Sequence, residues 1–167
     1  AIRQAVFDIR RTARWLSGQE SIDKEKIGIC GTSLGGFVAA LGAGVDGQFS
    51  RAVFLLAGGD LATVLSTDVK EIRGIKEEIA RRGIDKNHLQ ELLSCIEPLN
   101  FSDRLSTSKV LMINGESDPI VPSECAKKLA ESAGAHLQWY ATDHYGMVKY
   151  MIPAVGQVCA HFSAKNW

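Results

Sequence analysis

One nine-residue stretch, Gly28-Ile29-Cys30-Gly31-Thr32-Ser33-Leu34-Gly35-Gly36, constrains the fold of this chain more than any other. Ile27 to Cys30 is a short apolar run that reads as a buried strand. Phe37-Val38-Ala39-Ala40-Leu41 reads as a helix rich in small residues. Gly-x-Ser-x-Gly lies between them. Strand, tight turn and helix, in that order, are the context in which this motif becomes a nucleophile elbow, a strained turn that projects the Ser33 hydroxyl clear of the backbone. Gly31 and Gly35 are expected to stand where side chains would clash as strand and helix crowd together. The start of the helix lies directly behind Ser33, so its amides and dipole face any negative charge that develops there. The plain alternative is a glycine- and serine-rich turn without chemistry, and the flanking strand and helix weigh against it.

The rest of the chain repeats the alternation of strand and helix. Residues 1–17 carry Ile2, Val6, Ile9, Ala13 and Leu16 at helical spacing, with arginines largely on the other faces and Gly18 as the stop. Further apolar runs at 51–57, 109–114 and 137–141 read as buried strands, with a helix over 123–133 and a last helix begun or interrupted at Pro153. Continuous apolar runs separated by helices indicate a parallel sheet covered on both faces. Residues 61–108 are more elaborate than a crossover. Val69, Ile72, Lys76 and Ile79 share one helical stripe with Ile75 beside it, and Leu89, Leu92, Leu93 and Ile96 share another. Periodicity shows an apolar face without showing what it covers, so a helical cap and a connection packed beside the sheet both remain open.

Active-site residues of open parallel sheets gather at the carboxyl ends of the strands. Three side chains with complementary chemistry fall in such loops, in the order Ser33, Asp118, His144. A serine is a poor nucleophile at neutral pH unless a histidine takes its proton, and that histidine needs a carboxylate to hold its tautomer. Asp118 is followed by Pro119, which stiffens the turn that would aim the carboxylate. Glu116 and Asp60 are rival acids, and an Asp-Pro pair can also serve only to make a turn. Asp143 reads as a loop-shaping residue. His88 and His136 read as surface residues, and His161 lies near a helix C-terminus, where a cation suits the dipole. The Leu34 backbone N–H, next after the nucleophile, is the expected oxyanion donor.

Gly31-Thr32-Ser33-Leu34-Gly35-Gly36 resembles the α/β-hydrolase family, most closely its esterase and dienelactone-hydrolase-like members. Gly115-Glu116-Ser117-Asp118-Pro119-Ile120-Val121-Pro122 resembles that family's acid loop, and His144 precedes the final helix as the family's base does. The resemblance implies one α/β domain over 1–167, with 61–108 as the small helical cap that the family places between strands. It implies a serine hydrolase of carboxylic esters, with Ser33, Asp118 and His144 catalytic, Leu34 in the oxyanion hole, and no metal or organic cofactor. The modest cap favours short acyl chains. A serine peptidase resembling the prolyl oligopeptidase family shares the triad order, and a scaffold kept only for binding is a third reading. Only the carboxyl-terminal half of the family's fold is matched: about four parallel strands, with the strand before Ser33 at an edge. An uncovered edge strand invites pairing, so a missing amino-terminal segment or a homodimer is expected to cover it.

Composition narrows the partners. The formal net charge is +0, which gives no basic track for nucleic acid and no attraction to an anionic membrane surface. The longest apolar runs are too short to span a bilayer. Cys30, Cys95, Cys125 and Cys159 are far apart and lack metal-ligand spacing. They are expected to be free thiols in a reducing compartment, which favours a cytoplasmic location, with Cys30 buried in its strand as a small hydrophobe.

Overall fold

The computed structural model describes residues 1–107 and 109–164. Four strands, β1 (Gly28–Thr32), β2 (Arg51–Leu55), β3 (Lys109–Gly115) and β4 (His136–Tyr140), form one parallel sheet in the order β1-β2-β3-β4. This is the parallel α/β arrangement that the apolar runs imply. Each strand steps to its neighbour in the same direction, and right-handed crossovers then put every connection on one face. On that face lie α2 (Leu34–Val45), a run of 3₁₀ turns at Pro98–Thr107, and α6 (Ser123–Ala133), with α1 (Ile2–Ser17) packed beside α2. Ala52 and Phe54 of β2 and Met112 of β3 meet Ala39, Ala40 and Leu129 there. The alternate residues Val53, Leu55, Leu111 and Ile113 turn to the other face, which α7 (Met151–Ser163) covers through Ala154, Val158 and Phe162, joined by Met147 and Tyr150 from the turn just before it.

That asymmetry corrects one expectation. Cys30 is exposed, not buried. It shares the α7 face of the sheet, but α7 packs over β2 and β3, and β1 is the edge. All four cysteines are free, and Cys125 is the buried one. His161 also departs from the cation proposed for a helix end. Burial, helped by the nearby Arg51 and Lys109 charges, pushes its pKa down, and its Nε2 pairs with the Lys109 carbonyl at 3.0 Å.

Between β2 and β3 the chain makes α3 (Leu61–Val64), α4 (Lys70–Arg81), α5 (Lys86–Leu93) and a 3₁₀ turn at Ser94–Ile96 before the Pro98–Thr107 run. Gly83, at φ +63°, lets the chain leave α4. This region has two parts. Side chains of α3, α4 and the stretch to Ile96 border a pocket at the carboxyl ends of the strands. Residues from Pro98 onward instead pack against α2 and α6, with Pro98, Ser102 and Leu105 fully buried. Ser108, at the far end of the expected cap, lies outside the described residues. Among the described residues no helix is long and apolar enough to cross a membrane.

Candidate active site

Ser33 follows β1 directly and has φ 53° and ψ −123°, a conformation that non-glycine residues rarely adopt. Neighbouring bonds hold it there: the Ser33 N–H donates to the Leu55 carbonyl at 2.8 Å, and the Ser33 carbonyl accepts from the N–H groups of Gly36 at 2.8 Å and Phe37 at 3.1 Å. Among the described residues the other non-glycine positions at positive φ are Leu56 and Asp60, both just past β2. Backbone strain is therefore gathered at the carboxyl rim of the sheet, where strained residues cluster at functional sites.

Of the two motif glycines only Gly31 stands where a side chain would clash. A Cβ on Gly31 would stand 2.0 Å from the Gly35 carbonyl oxygen, so Gly31 is required by close approach. A Cβ on Gly35 would meet nothing within 4 Å, whereas one on Gly36 would stand 2.7 Å from the Ala57 Cβ. The second crowded position is Gly36, where α2 crosses the end of β2. Leu34 opens α2 with its side chain 65% exposed, so its N–H belongs to the helix end that lies beside Ser33.

The loops after β3 and β4 bring two more side chains to this point. Asp118 is buried, and its Oδ1 accepts from the N–H groups of Ile120 at 2.8 Å and Val121 at 3.0 Å. These bonds aim Oδ2 at His144 Nδ1, 2.6 Å away. His144 Nε2 in turn lies 2.9 Å from Ser33 Oγ. Asp143 shapes the loop by accepting from the Gly146 N–H at 2.6 Å. A Cβ on Gly146 would lie 2.2 Å from Thr142 Oγ1 and 2.8 Å from Asp143 Oδ1, so the close folding of the loop requires this glycine.

The rival acids are engaged elsewhere. Asp60 caps α3 through the Thr63 N–H and pairs with Lys128. Burial opposes its charge, but the bonds from Lys128 and Thr63 outweigh that and hold its carboxyl below the usual range. Glu116 is exposed and borders a different depression with Ser123, Lys127 and Trp139. His88 and His136 lie on the surface.

Ser33 and His144 open into a pocket of about 660 Å³ walled by apolar side chains, among them Phe37, Leu61, Val64, Ile72, Ile75 and Val121. Two polar residues of its wall escaped the sequence reading. Tyr145, next to His144, donates its hydroxyl to Glu71 Oε1 of α4 at 2.7 Å. That bond holds the Glu71 carboxyl below the usual carboxylate range and raises the Tyr145 phenol. The two residues are 74 positions apart, and no spacing rule connects them.

The same fold occurs in solved structures. Acetyl xylan esterase 1 from Thermoanaerobacterium sp. matches with a TM-score of 0.75 at 18% identity, over 95% of this chain and 52% of that one. A puromycin-hydrolyzing peptidase of Mycobacterium tuberculosis matches with a TM-score of 0.69 at 19% identity, over 95% of this chain and 24% of that one. The chain is thus an α/β-hydrolase by fold. Residues 3–149 match the model of the prolyl oligopeptidase family, and the chain belongs to that family within the serine hydrolases. An uncharacterized protein of Mycobacterium tuberculosis is 30% identical over 145 residues, which are 86% of this chain and 33% of that protein. The chain therefore spans about a third of this curated relative and about half of the esterase.

Proposed function

We propose that this chain carries the catalytic centre of a serine hydrolase acting on carboxylic esters, with short acyl chains favoured. One observation carries the reading: the unbroken line from Asp118 through His144 to Ser33, with contacts of 2.6 and 2.9 Å. In this mechanism His144 Nε2 takes the proton of Ser33 Oγ as the oxygen attacks the ester carbonyl. Asp118 keeps the proton on Nδ1 and stabilises the imidazolium. The Leu34 N–H, at the positive end of α2, faces the developing oxyanion. His144 then returns the proton to the departing alcohol, and water releases the acyl group by the same steps in reverse. A second oxyanion donor is assigned to a part of the longer protein outside these 167 residues, a reading that the greater length of the relatives supports. We assign residues 61–96 to the cap, because their side chains border the pocket.

Family membership favours a second reading, a serine peptidase using the same three residues. Comparing nitrophenyl acetate with a prolyl anilide on the full-length protein separates the two. Fluorophosphonate labelling that is lost in Ser33→Ala is expected under both. An unlabelled wild-type protein would leave only a ligand-binding scaffold.

A further inference from the structure

One contact in the pocket wall has no part in the chemistry above. Tyr145 follows His144 in the chain, and its ring meets the imidazole edge-on at 5.7 Å between centroids. Its hydroxyl reaches out of the loop to Glu71, the second residue of α4. Lys70 completes the group, with its ammonium 5.9 Å from the Tyr145 ring centre and 3.8 Å from Glu71 Oε1. The acceptor is ionised at neutral pH, since the Tyr145 bond holds the Glu71 carboxyl low. A hydrogen bond to a charged acceptor is stronger than a neutral one.

The helix on the other side of this bond is lightly held. Ile72 is the only buried residue of α4, and Ile75, which also borders the pocket, is 47% exposed. Gly74 sits in the middle of the helix and touches nothing with its missing side chain. A mid-helix glycine without a packing reason weakens the helix. An amphipathic helix with little buried surface, laid over an apolar pocket, belongs to the low-stability end of a structure from which moving parts are drawn.

We propose that α4 is a lid and that the Tyr145–Glu71 hydrogen bond is its latch. Closing it roofs the pocket above Ser33 and braces the loop that carries His144, so Tyr145 and Glu71 are positioning residues that couple pocket closure to the imidazole. The proposal rests on the reading of Ser33, Asp118 and His144 as the catalytic group, and its test is built to fail separately.

Tyr145→Phe, Glu71→Ala, the double variant and the conservative Glu71→Gln are made in the full-length protein. Trypsin cleavage within residues 70–82 reports the lid without reference to activity. Turnover of nitrophenyl acetate per fluorophosphonate-titrated site reports His144 independently of the folded fraction. Tyr145→Phe and Glu71→Ala are each expected to speed cleavage and lower kcat per site by roughly three- to tenfold, the range of one hydrogen bond, with KM for this small ester little changed. The double variant is expected to be no worse than either single one, because both remove the same contact. Glu71→Gln, which keeps an acceptor, is expected to retain most of the protection. Cleavage at the wild-type rate, multiplying effects in the double variant, or an unchanged kcat per site would overturn the latch. A wild-type protein that takes no label would sink the hydrolase reading instead, and the cleavage rates would still decide the lid.

Discussion

At the scale of single residues, the elbow separates two glycines that the motif treats alike. Gly31→Ala puts a methyl 2.0 Å from a backbone oxygen, which cannot rotate away as a side chain could. It is expected to cost about 2–3 kcal/mol in urea unfolding, the upper range of overpacking. Gly35→Ala enters open space in a helix at negative φ and is expected to be neutral or to stabilise by up to about 1 kcal/mol, the difference in helix propensity. Equal losses in both variants would mean that the crowding has been misplaced. Asp118→Asn keeps an oxygen for the Ile120 and Val121 amides, but its amide can no longer hold the proton on His144 Nδ1. A fall in kcat of the order of 10⁴-fold is expected for nitrophenyl acetate, with unfolding little changed, as for a histidine left in the wrong tautomer. A loss below tenfold would remove Asp118 from the proposed mechanism.

At the scale of elements, the joint between the proposed cap and the sheet is held by one carboxylate. Glu97 accepts from the backbone N–H groups of Asp60 at 2.9 Å, Leu61 at 2.7 Å and Leu99 at 3.1 Å, so it clamps the beginning of this long excursion to its end. Glu97→Ala leaves these donors without their acceptor and is expected to destabilise by about 2 kcal/mol, with Glu97→Gln recovering part of the loss. Calorimetry of the two variants checks the order. Nothing in the sequence marks Glu97, because its partners are backbone groups brought near by the fold. The strands were legible for the opposite reason: each is a continuous apolar run whose partners any parallel sheet supplies. The exposure of Cys30 was not legible, because its neighbours look like those of a core strand and only the sheet order makes β1 an edge. Ser33, Asp118 and His144 stood out in sequence because each sits in a loop just past a strand, and the structure brings them within hydrogen-bond reach. The Glu71–Tyr145 contact joins two exposed polar residues on separate elements, and neither helical nor strand periodicity could pair them.

For the molecule as a whole, pH acts through groups whose folded and unfolded affinities for protons differ. His161 is held neutral in the fold, since burial and the adjacent Arg51 and Lys109 charges lower its pKa from the ordinary 6.5. As pH falls below 6.5, the unfolded chain binds a proton at this residue that the folded chain refuses, so stability falls with acidification. Asp46 and Asp60 add a second loss at lower pH. Burial works against both charges, but hydrogen bonds from Arg10 and Gln48 at Asp46, and from Lys128 and Thr63 at Asp60, keep them below the ordinary 3.8. Their contribution is present above 3.8 and disappears as pH drops through the lowered folded values. The urea midpoint is therefore expected to hold level from about pH 8 to 7, decline below 6.5, and decline again below 3.8. His161→Gln can still donate to the Lys109 carbonyl but does not titrate. It is expected to flatten the upper decline and leave the lower one in place, whereas an unchanged slope between pH 6.5 and about 5 would assign that loss to another group. His161 lies on α7 and its partner Lys109 opens β3, so the upper decline traces to the contact between that helix and the start of the strand.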